Sequence, residues 1–203
     1  MPIITEISLQ KNNKNRCNVY VDNEFFCGMS VETAVKNRIK TGQEIDEEKL
    51  AQLVNESEQQ EALAKATDYV AKNLKTKRQV KEYLLKKGYS EQIAWACIDK
   101  LKEYNYIDDV EYSKRYIESL SKKQGKRLTE YKLMMKGVKK EDIENAYSDA
   151  EDHSNESVKK LAKKHLGNKP ITKENLAKTY RYLIGKGFSY EQVSEALAEY
   201  QGD

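Results

Sequence analysis

Cysteine, histidine and proline are all scarce in this 203-residue chain, and no apolar run is long. Three cysteines (Cys17, Cys27, Cys97) and two histidines (His153, His165) are its whole supply of thiols and imidazoles. No CxxC pair occurs, so a tetrahedral zinc site lacks ligands at usable spacing, and an odd number of scattered cysteines argues against a disulfide framework. If Asp22-Asn23 is a two-residue hairpin turn, Val19 faces Phe26 and Asn18 faces Cys27. That register puts Cys17 and Cys27 on opposite faces. His165 falls among Val158, Leu161, Ala162 and Leu166 and reads as a packed residue rather than a ligand. The P-loop, the dinucleotide-binding glycine fingerprint and the zinc-protease His-Glu-x-x-His are all missing. No active-site constellation replaces them, so the reading is a non-enzyme with no cofactor and no metal. Two prolines and nine glycines exclude a collagenous or linker-like chain. No stretch approaches the roughly 18–20 apolar residues that span a bilayer. The N-terminus lacks a signal-peptide core, which predicts a cytosolic protein without membrane contact.

What the chain does have is charge: 34% charged against 38% hydrophobic residues. Thin helical layers with large wet faces fit this better than one thick core. The net charge is only +3, but the charges are segregated. Residues 72–87 hold seven bases and one acid, residues 121–140 eight and one, and residues 159–186 nine and one. Acidic stretches lie between them, with seven acids and no Lys or Arg over 141–156. Each block reads either as a solvated face or, through recurrence every fifty or so residues, as part of a basic stripe facing phosphates or an acidic groove.

The first forty residues read as β structure. Ile3–Leu9, Cys17–Val21 and Glu24–Cys27 are strands, Asp22-Asn23 is a turn, and Lys11–Arg16 is a polar loop. Ser30 caps a short helix through Asn37, which Thr41-Gly42-Gln43 ends. From Asp46 onward the pattern is helical, and it repeats. Tyr83-Leu-Leu-Lys-Lys-Gly-Tyr89, Lys132-Leu-Met-Met-Lys-Gly-Val138 and Tyr182-Leu-Ile-Gly-Lys-Gly-Phe188 each place Leu four residues before a Gly, Lys just before it and an apolar residue after it. The glycines, Gly88, Gly137 and Gly187, are 49 and then 50 residues apart, and each suits the left-handed position that ends a helix. Ser90, Lys139 or Ser189 then begins another helix. Its apolar stripe is Ile93, Ala96, Cys97, Leu101 and Tyr104 in the first unit; Ile143, Ala146, Tyr147 and Ala150 in the second; Val193, Ala196, Leu197 and Tyr200 in the third. A preceding helix completes each unit, carried by Leu63, Ala66, Val70 and Leu74, then by Val110, Ser113, Tyr116, Ile117 and Leu120, then by the stripe around His165. Thr76 and Thr172 stand at N-cap positions.

The expected fold is therefore mainly α: three tandem three-helix repeats in an elongated, curved array behind a small β-hairpin and short-helix segment. The boundaries read as 1–45 for that segment and 46–107, 108–152 and 153–203 for the repeats. The tyrosines fall largely on packing stripes, with base stacking as the minority reading.

Between the first two units runs Tyr104-Asn-Tyr-Ile-Asp-Asp-Val-Glu-Tyr112. Asn105 tolerates the left-handed angle, and Asp108 with Glu111 forms a capping box. The pair Asp108 and Asp109 does not converge as a Mg²⁺ site would require. This phrase resembles the bacterial RecX family, regulators of the RecA recombinase, whose first repeat typically ends Leu…Gly-Tyr-Ile/Leu-Asp-Asp-x-x-Tyr-Ala. The matching residues are Leu101, Tyr106, Ile107, Asp108, Asp109 and Tyr112, with Asn105 for Gly and Ser113 for Ala. The three Lys-Gly phrases and the opening Ile-Thr-Glu-Ile extend the resemblance over nearly the whole chain. The motif residues themselves read as structural.

The resemblance implies a protein that binds RecA and the RecA filament on single-stranded DNA. There it would restrain strand exchange, ATP hydrolysis and the self-cleavage of the SOS repressor. Charge and helix position nominate the contacting cations: Lys77, Arg78 and Lys81; then Lys122, Lys123, Lys126, Arg127 and Lys132; then Lys173, Lys178 and Arg181. Gln124–Arg127 reads as a flexible basic loop. The competing reading is a stand-alone nucleic-acid-binding helical module, and weak direct DNA binding is compatible with both. The expected state is a monomer, because internal stacking consumes the apolar stripes.

Overall fold

The computed structural model describes residues 1–11 and 13–200. The chain divides into two compact units, one of residues 1–73 and 80–106, the other of residues 74–79 and 107–203.

The first unit begins with an antiparallel meander, β1 (Ile4–Gln10), β2 (Asn13–Val21) and β3 (Glu24–Ser30). Asp22 and Asn23 make the tight turn at φ 49° and 68°, the left-handed pair that fits strand twist. The residues expected to loop over 11–16 instead mostly continue β2, whose Arg16 pairs with Ser30. The cysteine register also differs from the expectation. A bulge after Tyr20↔Phe25 leaves Phe26 unpaired, so Val19 faces Cys27 and Cys17 faces Met29. Cys17 and Cys27 therefore share the buried face, and both are free thiols. Burial, with Cys17 nearby, pushes the Cys27 thiol up to about 11, so it stays protonated and inert.

Ser30 caps α1 (Val31–Lys36) through Thr33 N–H, and Asp46 caps α2 (Glu47–Lys72). This 26-residue helix serves two cores. Its Leu50 and Leu53 seal the sheet face formed by Ile4, Val19 and Met29. Its later turns bury Ala62, Ala66 and Val70 where it packs on α4. Leu74 lies past the Asn73 cap and is exposed, so it does not belong to the stripe. The strand-to-helix join is also polar: Ser30 N–H donates to Ser57 Oγ at 2.8 Å, and Arg16 pairs with Glu61.

Helices α3 (Lys77–Lys86) and α4 (Glu91–Glu103) complete the first trio; residues 77–79 of α3 belong to the second unit. The second unit adds α5 (Asp109–Leu120), α6 (Lys126–Met135) and α7 (Lys140–Asp149), then α8 (Ser154–Leu166), α9 (Lys173–Gly185) and α10 (Tyr190–Ala198). The chain is thus mainly helical, with three three-helix groups behind a small sheet, as the periodicity predicts. Ile117, Leu133, Val138, Ile143 and Ala146 form the core of the second trio. Val158, Ala162, Leu183, Phe188 and Val193 lie at the centre of the third.

The Lys-Gly phrases end helices as expected. Gly88, Gly137 and Gly187 have φ of 92°, 82° and 86°. The next residue's N–H reaches back to the Leu four positions before each Gly: Tyr89 to Leu84 at 3.2 Å, Val138 to Leu133 at 3.2 Å, Phe188 to Leu183 at 3.4 Å. All three leucines are fully buried. That is the Schellman closure, in which the repeat's Leu supplies both the carbonyl and the apolar contact. Asn105, at φ 58°, makes the same closure, with Tyr106 N–H on Leu101 O at 2.8 Å.

Within the second unit these turns do a second job. Thr76 Oγ1 donates to Lys136 O at 2.8 Å, and one repeat later Gly125 N–H donates to Lys186 O at 2.9 Å. Thr76 and Gly125 each stand twelve residues before their own repeat glycine. The start of one middle helix thus grips the turn that ends the next. The grip needs a bare glycine. A Cβ on Gly137 would fall on the Arg78 side chain, and one on Gly187 on the Leu128 backbone.

Candidate partner-binding surface

The nominated cations lie mainly on the three middle helices. Counted from the repeat glycines, Lys77 and Arg78 on α3 occupy the same positions as Lys126 and Arg127 on α6. Their surroundings decide what each can offer a partner.

Lys77 is committed. Its N–H donates to Asp109 Oδ1 at 3.0 Å, and its ammonium stands 3.8 Å from the same carboxylate. Asp109 is 3% exposed, and burial raises its pKa against the pull of Lys77. Asp108 caps α5, accepting from Val110 and Glu111 N–H, while Asp109 caps α3. The two carboxylates diverge as the sequence suggests. The capping box does not form, because Glu111 pairs with Arg115 at 2.6 Å instead. Among the other motif residues, Ile107 is buried, Tyr106 is exposed and Tyr112 stacks on Tyr116. Arg78 lays its methylenes over Gly137. Lys81 sits 3.2 Å from Glu91 and 4.9 Å above the half-exposed Trp95 ring.

The segment 124–127 is not a flexible loop. Gln124 is 5% exposed and donates to Thr129; its Oε1 accepts from Lys132. Gly125 and Arg127 N–H are held by the Lys186 and Gly187 carbonyls. Backbone fixed on both sides leaves only the Lys126 and Arg127 side chains free to reach outward. Lys126 lies 4.5 Å over Tyr147 and 3.8 Å from Glu130; Arg127 lies 5.9 Å over Tyr190. Both line a cleft of about 370 Å³ with Asn155, Ser189 and Gln192. Lys122 and Lys123 are exposed in the turn after α5. On α9, Lys178 pairs with Glu174 at 2.7 Å, while Lys173 and Arg181 are exposed.

Sequence reasoning passed over two features. The lysines of the Lys-Gly phrases, Lys87, Lys136 and Lys186, lie 5.7, 5.6 and 5.5 Å from the rings of Tyr83, Tyr116 and Tyr182. The repeat phrase contained that signal, but for Lys136 the ring comes from another helix. Second, α6 exposes Tyr131, Met134 and Met135 on one side, an apolar patch beside the cations. Tyr104, assigned to the α4 stripe, is likewise 61% exposed. His165 is packed, stacking on Tyr182 at 4.4 Å and sharing a hydrogen bond with Thr179. Among the described residues no His, Cys, Asp and Glu cluster could hold a metal, and no helix is long and apolar enough to cross a membrane.

Four family models match consecutive stretches: the regulatory protein RecX N-terminal domain over residues 2–46, and the first, second and third RecX three-helix domains over 62–101, 108–146 and 151–197. The chain is 35% identical over 204 residues to the regulatory protein RecX of Clostridium botulinum strain Alaska E43, covering 98% of this chain and 96% of that one. It is 34% identical to that of Clostridium tetani, covering 96% and 92%. A crystal structure of regulatory protein RecX superposes with a TM-score of 0.71 at 25% identity, over 98% of this chain and all of that one. RecX from Lactobacillus salivarius shares the fold at a TM-score of 0.65, over 71% of this chain and 97% of its own. With the trios, their glycine closures and these full-length matches in agreement, the chain belongs to the RecX family.

Proposed function

We propose that this protein binds RecA and the RecA filament on single-stranded DNA in the cytoplasm. By doing so it restrains recombinase, ATPase and co-protease activity during DNA repair and the SOS response. Full-length membership of the RecX family carries this reading. The physical means is a series of linked trios, each offering a few exposed cations. Contacts that are weak singly combine when they are tethered, because each one raises the effective concentration of the next. Among the nominated cations, Lys122, Lys123, Lys126, Arg127, Lys173 and Arg181 are exposed and open to such contacts. Lys77, Arg78 and Lys132 serve the fold first.

The test is the DNA-dependent ATPase rate of RecA with substoichiometric amounts of this protein. The rate should fall progressively, and the protein should sediment with RecA–ssDNA filaments far better than with bare DNA at moderate salt. An unchanged rate without co-sedimentation overturns the proposal. Equal retention on DNA with and without RecA would favour the stand-alone nucleic-acid-binding module.

A further inference from the structure

The third trio opens a groove of about 760 Å³ along α9 and α10. Leu176 and Tyr180 line it from successive turns of α9, and Leu197 and Tyr200 from α10 and the turn after it. Ile171, 52% exposed, adds an aliphatic side chain from the loop before α9. Two cations share the lining, Lys173 and Arg181, both exposed. Arg181 Nε donates to the Ala177 carbonyl at 3.3 Å, a bond that leaves its charge unneutralised. Of the acids adjoining lining residues in sequence, Glu174 pairs with Lys178 at 2.7 Å and Glu199 with Lys159 at 2.6 Å.

We infer that this groove docks an acidic amphipathic helix of a protein partner. The inference deepens the proposed regulatory role and rests on it, since the helix is placed in the regulated protein. The volume lies in the range of built binding clefts. Apolar side chains at i, i+3 or i+4 and i+7 on one helix face fill such a groove, and carboxylates flanking them meet Lys173 and Arg181. The lining decides against nucleic acid. Single strands need a track of cations along the backbone and aromatic faces for successive bases. Here Ile171, Leu176 and Leu197 interrupt the two tyrosine faces with aliphatic surface, and the lining has only two cations, too few for a backbone track.

The experiment uses the full chain and a fluorescein-labelled synthetic helix of about 14 residues, roughly four turns, with Leu and Phe on one face and Glu on the other. Anisotropy should show saturable binding that weakens tenfold or more in three cases: when every Glu of the peptide becomes Gln, in Lys173→Glu with Arg181→Glu, and in Ile171→Asp. Circular dichroism checks that the variants remain folded. No saturation by about 1 mM, equal binding of a scrambled peptide, or full displacement by oligothymidylate overturns the inference. Co-sedimentation with RecA filaments is measured on the same proteins. Peptide binding without co-sedimentation sinks the filament-regulating role alone. Undiminished co-sedimentation of the groove variants, with no peptide bound, sinks the groove alone.

Discussion

Gly88, Gly137 and Gly187 hold the same place in the repeated phrase and the same left-handed backbone, but not the same surroundings. Around Gly88 there is open space within 4 Å; Gly137 and Gly187 receive the preceding middle helix. Gly88→Ala should therefore cost about 1 kcal/mol, the left-handed penalty for an L-residue. Gly187→Ala adds a collision with Leu128 backbone that no rotamer relieves, and should cost at least about 1 kcal/mol more. Urea unfolding of the two variants checks the ordering; equal losses would deny the grip. The closures at these glycines were legible in the sequence because a Leu four residues upstream and an apolar residue downstream are local features. The grip was not legible, since its partners lie sixty residues apart in Thr76 and Lys136. The same distance hid Asp109, which caps a helix that starts thirty-two residues earlier.

At the scale of elements, one bulge decides the sheet. Counting residues back from the Asp22-Asn23 turn gives the right pairs as far as Tyr20, and then the extra Phe26 flips every later side chain to the other face. No local rule announces that bulge, whereas the turn that precedes it was plain from its two residues. The long α2 was also only half legible, because its first turns pack against strands and its last against helices, so no single apolar stripe runs its length. Where strand and helix meet, Arg16 and Lys65 flank Glu61. Burial alone would raise the Glu61 pKa, but the Lys65 hydrogen bond and the two positive charges outweigh it and hold it below the ordinary carboxylate range. A folded pKa below the unfolded one contributes stability above the unfolded value and loses it as pH falls through the folded one. Glu61→Gln should thus cost about 1 kcal/mol at pH 7, the upper end of what surface ion pairs contribute, since the Arg16 and Glu61 side chains are partly buried. The difference from wild type should shrink toward zero once the pH drops below the folded pKa. Denaturation curves at both ends of that range test it, and a loss independent of pH would assign Glu61 a packing role only.

For the molecule as a whole, periodicity revealed three trios and their middle-helix cations. It could not say which cations the fold had already claimed. Lys132 and Arg127 look alike in sequence, yet Lys132 is bonded to a buried Gln124 and Arg127 extends over an exposed ring. The joint Lys126→Glu and Arg127→Glu variant keeps the backbone bonds that fix the segment, so helicity should not change. Filament inhibition should need roughly tenfold more protein, about 1.4 kcal/mol of lost binding, and its dependence on salt should flatten as fewer cations engage phosphates. Unchanged inhibition would remove these two residues from the contact surface.

The grip between trios also runs in one direction along the chain. Each donor, Thr76 or Gly125, is synthesised well before its acceptor, Lys136 or Lys186. On the ribosome, then, the leading ends of α3 and α6 emerge before the turns that will hold them, and each is latched only when the next middle helix has been made.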